Sequence, residues 1–156
     1  MQVNSINFNT SKPPVFRAKL DSKLRYYAQK DPRYDEFIKQ FSKWGDSNTV
    51  VGIYNAKING KLRYMLRLRN EVLGSPNVRI TNDEPEYMES KLADKIFNLT
   101  SKDIDFAEYA LFRNVKRRAK EAGLPYVEQL KNIIKSSKTE GRVFDADTLK
   151  LFKSAE

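Results

Sequence analysis

Four cations crowd one short stretch of the chain: Lys61, Arg63, Arg67 and Arg69. Lys and Arg side chains bind phosphate, and guanidinium planes and tyrosine rings stack on bases. Whether such residues act together depends on which way they point. Asn59-Gly60 is the favoured pair for a two-residue type I′ turn, and it lies between two β-prone runs, Thr49–Ile58 and Lys61–Asn70. A two-residue loop pairs Ile58 with Lys61, so partners sum to 119. Strand alternation then assigns every side chain to a face. Val51, Ile53, Leu62, Tyr64, Leu66 and Leu68 share one face, expected to be the core side. Val50, Gly52, Tyr54, Ala56, Lys61, Arg63, Met65, Arg67 and Arg69 share the other. A cationic sheet face with an interleaved tyrosine predicts a surface for RNA or single-stranded nucleic acid. Two other readings fit the same residues. The charges can simply solvate an exposed sheet, or Val50, Tyr54 and Met65 can be covered by another part of the chain or by a protein partner.

A second basic group closes a long helical pattern: Arg113, Lys116, Arg117, Arg118 and Lys120. Arg113, Arg117 and Lys120 recur at i, i+4 and i+7, one helix face. Cations at a helix C-terminus are favoured by the helix dipole, typically by about 0.3–1 kcal/mol, which accounts for them without any ligand. The functional expectation is that Arg113, Lys116, Arg117 and Lys120 extend the patch of the hairpin. The Ala119, Gly123, Leu124 spacing ahead of Pro125 matches a helix-turn-helix only superficially. It would expose Tyr126, Gln129, Asn132 and Lys135, but the first helix is too long and Gln129 falls where an apolar residue belongs.

Acids gather at Asp83, Glu84, Glu86 and Glu89. Glu89-Ser90-Lys91 has the Glu-x-Lys spacing of a Mg²⁺-dependent nuclease site, but in a helical rather than a strand context. The plainer reading is acids stabilising a helix N-terminus.

The 156-residue chain contains no Cys and no His. That excludes disulfides, thiolate nucleophiles, Ser–His pairs and every zinc site built on those ligands. No cofactor and no catalytic residue is assigned. The balance of 29 basic and 20 acidic residues gives +9, which points to an anionic partner or to solubility alone. Residues 57–69 carry +5 with no acid. No apolar run approaches the roughly 20 residues that span a bilayer, and no secretory leader opens the chain, so a cytoplasmic location without membrane contact is expected. Nucleic-acid binding is thus the leading expectation. A protein-interaction or structural subunit is the alternative, and a Mg²⁺-dependent nuclease the second alternative.

These groups need elements to hold them. Residues 1–19, polar and containing Pro13-Pro14, read as a flexible arm with Val15 and Phe16 as anchors, capable of docking on a protein partner. Residues 20–156 read as a single α+β domain. Leu20, Leu24 and Tyr27 mark one helix; Asp31-Pro32 opens a second, whose stripe Tyr34, Phe37, Ile38, Phe41 and Trp44 is core and which Gly45 ends. The hairpin and a third strand near Val78–Thr81 form a small antiparallel sheet. A helix starting near Asn82 or Asp83 buries Met88, Leu92, Ile96 and Leu99. Thr100-Ser101-Lys102-Asp103 is a capping box before a helix running to Gly123, apolar nearly all round in its first half. Further helices follow from Pro125 and near Asp147–Ser154.

Overall fold

The computed structural model describes residues 16–81, 83–122, 124–139, 146 and 150. Among them are five α-helices and a four-stranded mixed sheet, an α+β fold. Strand β1 is Lys19–Leu20, followed by helices α1 (Ser22–Ala28) and α2 (Tyr34–Phe41). Strands β2 (Thr49–Ile58), β3 (Lys61–Asn70) and β4 (Asn77–Arg79) come next. Helix α3 (Glu89–Lys95) runs into a 3-10 turn at Ile96–Asn98, and α4 (Ser101–Ala122) and α5 (Leu124–Thr139) follow. The expected helix near Asp147–Ser154 lies, Lys150 apart, outside the described residues.

The hairpin has the predicted register throughout, from Thr49 opposite Asn70 to Ile58 opposite Lys61. Its turn places Asn59 and Gly60 at φ 53° and 76°, the left-handed pair that a type I′ turn requires. The sheet is ordered β1-β2-β3-β4, and β1 joins it in parallel, Lys19 beside Val50 and Leu20 beside Val51. The sheet is therefore mixed rather than wholly antiparallel. The same pairing revises the arm. Arg17 and Ala18 donate backbone hydrogen bonds to Ser42 and Trp44 carbonyls at 2.7 and 2.9 Å, so chain assigned to the arm is built into the fold. Phe16 is exposed rather than an anchor, and Val15 lies outside the described residues.

Among the described residues, the core that the helices share with the sheet lies on one face of it. Val51, Leu66, Leu68 and Val78 from the strands share a core with Leu24, Phe41, Leu92, Ile104, Leu111, Phe112 and Ile133. The aromatic stripe of α2 is core, as its spacing predicts: Phe37 stacks on Phe41 at 5.1 Å, with Trp44 and Phe97 edge-on to them. Removing apolar area of this kind from water is the main favourable term in folding, at about 25 cal/mol per Å².

Three local features fix the joints. Asp21 caps α1 by accepting from the Leu24 N–H at 2.8 Å, and its second oxygen accepts from the Ile53 N–H at 3.3 Å. That carboxylate lies over Gly52, where any Cβ would collide with it. The capping box closes as predicted, with Thr100 N–H on Asp103 at 2.9 Å and Asp103 N–H on the Thr100 hydroxyl at 3.4 Å. At the base of the hairpin, Asp46, Thr49, Asn70, Glu108 and Ser137 form a buried polar cluster. Asn70 Nδ2 donates to both oxygens of Asp46 (3.3 and 3.2 Å), Ser137 donates to Asp46 (3.4 Å), and Thr49 donates to Glu108 (3.4 Å). Buried polar groups persist only when partnered in this way.

Two expectations fail. The helix predicted from residue 82 or 83 begins at Glu89, and Met88 is exposed. Glu86 exchanges both backbone hydrogen bonds with Tyr64, each 2.8 Å, so ladder pairing holds this segment extended. In α4, Phe106 is 72% exposed although its neighbours read as core. The helix buries only the side that faces the sheet and α5, and Phe106 falls outside that arc.

Candidate functional site

The face of the sheet opposite the helices carries the predicted cations in rows. Across the strands the rows read Lys19, Val50, Arg69, Asn77; then Gly52, Arg67, Arg79; then Tyr54, Met65; then Ala56, Arg63; and finally Ile58, Lys61. The register therefore brings together Lys61, Arg63, Arg67 and Arg69 and adds Lys19 and Arg79. Successive same-face side chains along a strand lie about 7 Å apart.

The rows differ in exposure. Val50 and Met65 are buried within the chain, so neither is available to a partner. Arg67 and Arg69 are half-buried, and Arg67 donates to Asn77 Oδ1 at 3.0 Å. Lys61 and Arg79 are exposed. Tyr54 is half-buried. Asp21 over Gly52 and the Lys19–Glu71 ion pair offset part of the positive charge at the base, leaving the excess toward the tip.

One residue of this face escapes the sequence reading. Tyr87 is 65% exposed, and the Arg63 guanidinium lies 3.6 Å from its ring centroid, a stacked cation–π contact. Its position follows from the extended segment beside β3. The Glu86–Tyr64 ladder sets the backbone, and Lys95 clamps it by donating to the Glu84 carbonyl at 3.0 Å and pairing with Glu86 at 2.9 Å. With Glu86 opposite Tyr64, the next residue meets Arg63. The available signal was Pro85, which begins the extended run; a helical reading of residues 83–88 concealed it.

The basic end of α4 does not join this surface. Helix α4 packs on the other side of the sheet, against β3 and β4, and Arg113, Arg117, Arg118 and Lys120 point to solvent there. Arg113 lies over Tyr109 at 5.7 Å and Arg117 donates to Asn114 at 3.4 Å, contacts within the helix. Lys116 is half-buried. The residues that a helix-turn-helix would expose lie on α5. Helices α4 and α5 pack against one another in the common core; Asn132 and Lys135 are exposed, Gln129 is half-buried, and Gly123 and the Tyr126 side chain lie outside what is described.

Two of the four acids pair with lysines. Glu89 pairs with Lys23 at 3.1 Å, and the hydrogen bond that Lys23 donates to Glu89 raises the Lys23 pKa. Glu86 pairs with Lys95, and Asp83 accepts from Thr81 at 3.2 Å. Among the described residues no group of three or more carboxylates gathers as metal ligands would. Two surface clefts flank α3, of about 470 and 520 Å³. The first holds Lys30 and Lys91 against Asp31 and Asp94, the second Lys95 against Asp83 and Asp103, so neither has a strong sign of charge. None of the helices among the described residues is long and apolar enough to cross a membrane. Compared with family models, with curated proteins and with solved structures, the chain finds no match in any of the three.

Proposed function

We propose that the outward sheet face binds single-stranded nucleic acid, RNA or DNA, through its phosphates and its bases. The observation that carries this reading is the cross-strand register, which places Lys61, Arg63, Arg67, Arg69 and Arg79 on one face with Tyr54 and Tyr87. Cations track a phosphate backbone and release its counterions, while aromatic rings accept unpaired bases. A duplex offers no such bases, and its rigid rod meets a twisted sheet over a short span only. The basic end of α4 belongs to a separate surface and has no part in this site.

The test is a salt titration of binding to single-stranded RNA, single-stranded DNA and duplex DNA. We expect single strands to bind more tightly than duplex, with a log–log slope of about −0.7 for each phosphate neutralised. The double substitution Lys61→Glu with Arg79→Glu reverses two exposed charges and is expected to make that slope shallower by about 1.4 while leaving the fold intact. Unchanged affinity and slope in this variant would remove the proposal.

A further inference from the structure

We infer that Tyr87, held by Arg63, is a base-stacking position, where one unpaired base lies on the free face of the tyrosine ring. This rests on the nucleic-acid reading above and names the residue that would separate bases from bare backbone.

Four observations support it. The Tyr87 ring is 65% exposed on a charged surface, yet it is not loosely placed. Its backbone is fixed by two 2.8 Å hydrogen bonds one residue earlier, between Glu86 and Tyr64. Its ring is fixed by the Arg63 guanidinium, 3.6 Å from the centroid on one side. The 65% exposure leaves ring surface open beside that contact, and a planar base is a ligand whose shape and size match a ring face. The pre-set geometry spares the ordering cost that a mobile tyrosine would incur on binding.

The neighbours supply the rest of a nucleotide site. Arg63 itself carries charge for the adjoining phosphate, Lys61 lies two residues along the same strand face, and Arg67 and Arg79 form a row further in. Asp83 and Glu84, both exposed, lie beside Arg79 and Met65 and border the face on the β4 side. A polyanion is thereby steered toward the hairpin tip and past Tyr87. Lys95 is a positioning residue: it holds the 84–86 segment and touches no part of the proposed base site.

The experiment uses the whole chain and two single-stranded DNA oligomers of equal length, one with bases and one fully abasic. Wild type should bind the base-bearing strand more tightly. Tyr87→Ala should weaken that binding roughly ten-fold, leave the salt slope unchanged and leave the abasic strand unaffected. Tyr87→Phe should retain wild-type affinity. The Lys61→Glu, Arg79→Glu variant should instead weaken both strands and flatten the slope. If Tyr87→Ala binds the base-bearing strand like wild type while the charge variant does not, stacking at Tyr87 is refuted and the phosphate reading stands. Equal weakening of both strands by Tyr87→Ala also refutes stacking, since it assigns the residue a structural part. If wild type binds neither strand near 0.15 M salt, both proposals fall.

Discussion

The base and the tip of the hairpin are the same two strands in the same register, yet they occupy opposite environments. On the face turned to the helices, Leu68 is 1% exposed near the base and Leu62 is 44% exposed near the tip. On the outward face, Val50 is buried and Lys61 lies in solvent. Alternation decides the face of a side chain; what lies against that face decides its burial. Among the described residues the helices support the sheet from the base to about the middle; beyond the Tyr64–Glu86 bridge Tyr87 still lies against Arg63, and residues 57–62 are exposed. The base is packed against the core, and the tip stands in solvent.

Pairs of like residues in the two regions can break this contrast. Leu68→Ala is expected to cost about 2–5 kcal/mol through lost burial and a cavity, whereas Leu62→Ala should stay within about 0.5 kcal/mol. Urea midpoints of the two variants decide it, and equal shifts would show that the tip is packed after all. Asn70→Ala should cost about 3 kcal/mol, because the Asp46 carboxylate and the Val72 N–H (3.0 Å from Asn70 Oδ1) both lose a buried partner. Asn55→Ala, at an exposed site nearer the tip, should be close to neutral in the same assay.

Gly52→Ala should destabilise by about 1–3 kcal/mol, since its Cβ would push Asp21 off the α1 cap and off Ile53. Four residues further on, Ala56 carries a Cβ at the same face, so Ala56→Gly tests only strand propensity. Thermal unfolding of the two variants compares them directly. The smallest effect belongs to a pair outside both regions. Hydrogen bonds from the Arg33 side chain and backbone hold the Asp31 carboxyl down at about 2 against 3.8. Its folded-state pKa is depressed, so its stabilisation is present above about pH 4 and lost as pH falls toward 2. Asp31→Asn should therefore unfold slightly earlier than wild type at pH 7, with the difference gone at pH 2.

Much of this contrast was legible in the sequence, and the limits have physical causes. Asn59-Gly60 fixed the register, because a two-residue turn leaves only one pairing, and the register assigned all four hairpin cations to one face. The capping box and the aromatic stripe of α2 were equally local signals. Tyr87 was missed because residues 83–88 contain helix-compatible acids, and their extended form comes from pairing with Tyr64, more than twenty residues away. Strand β1 was missed because two residues carry no periodicity. The α4 cations were grouped with those of the hairpin because one-dimensional charge counts do not say on which side of a sheet a helix packs.

The buried cluster at the base also sets an order of assembly. Hairpin partners are at most 21 residues apart, Thr49 with Asn70, so the ribbon needs only a short loop to close. Ser137 reaches Asp46 across 91 residues and Glu108 reaches Thr49 across 59. During synthesis the strands can thus pair while the carboxylate of Asp46 is still hydrated, and it gives up water for Ser137 only when α5 arrives. Docking of the last described helix is then the step that brings Ser137 to Asp46 and closes the base.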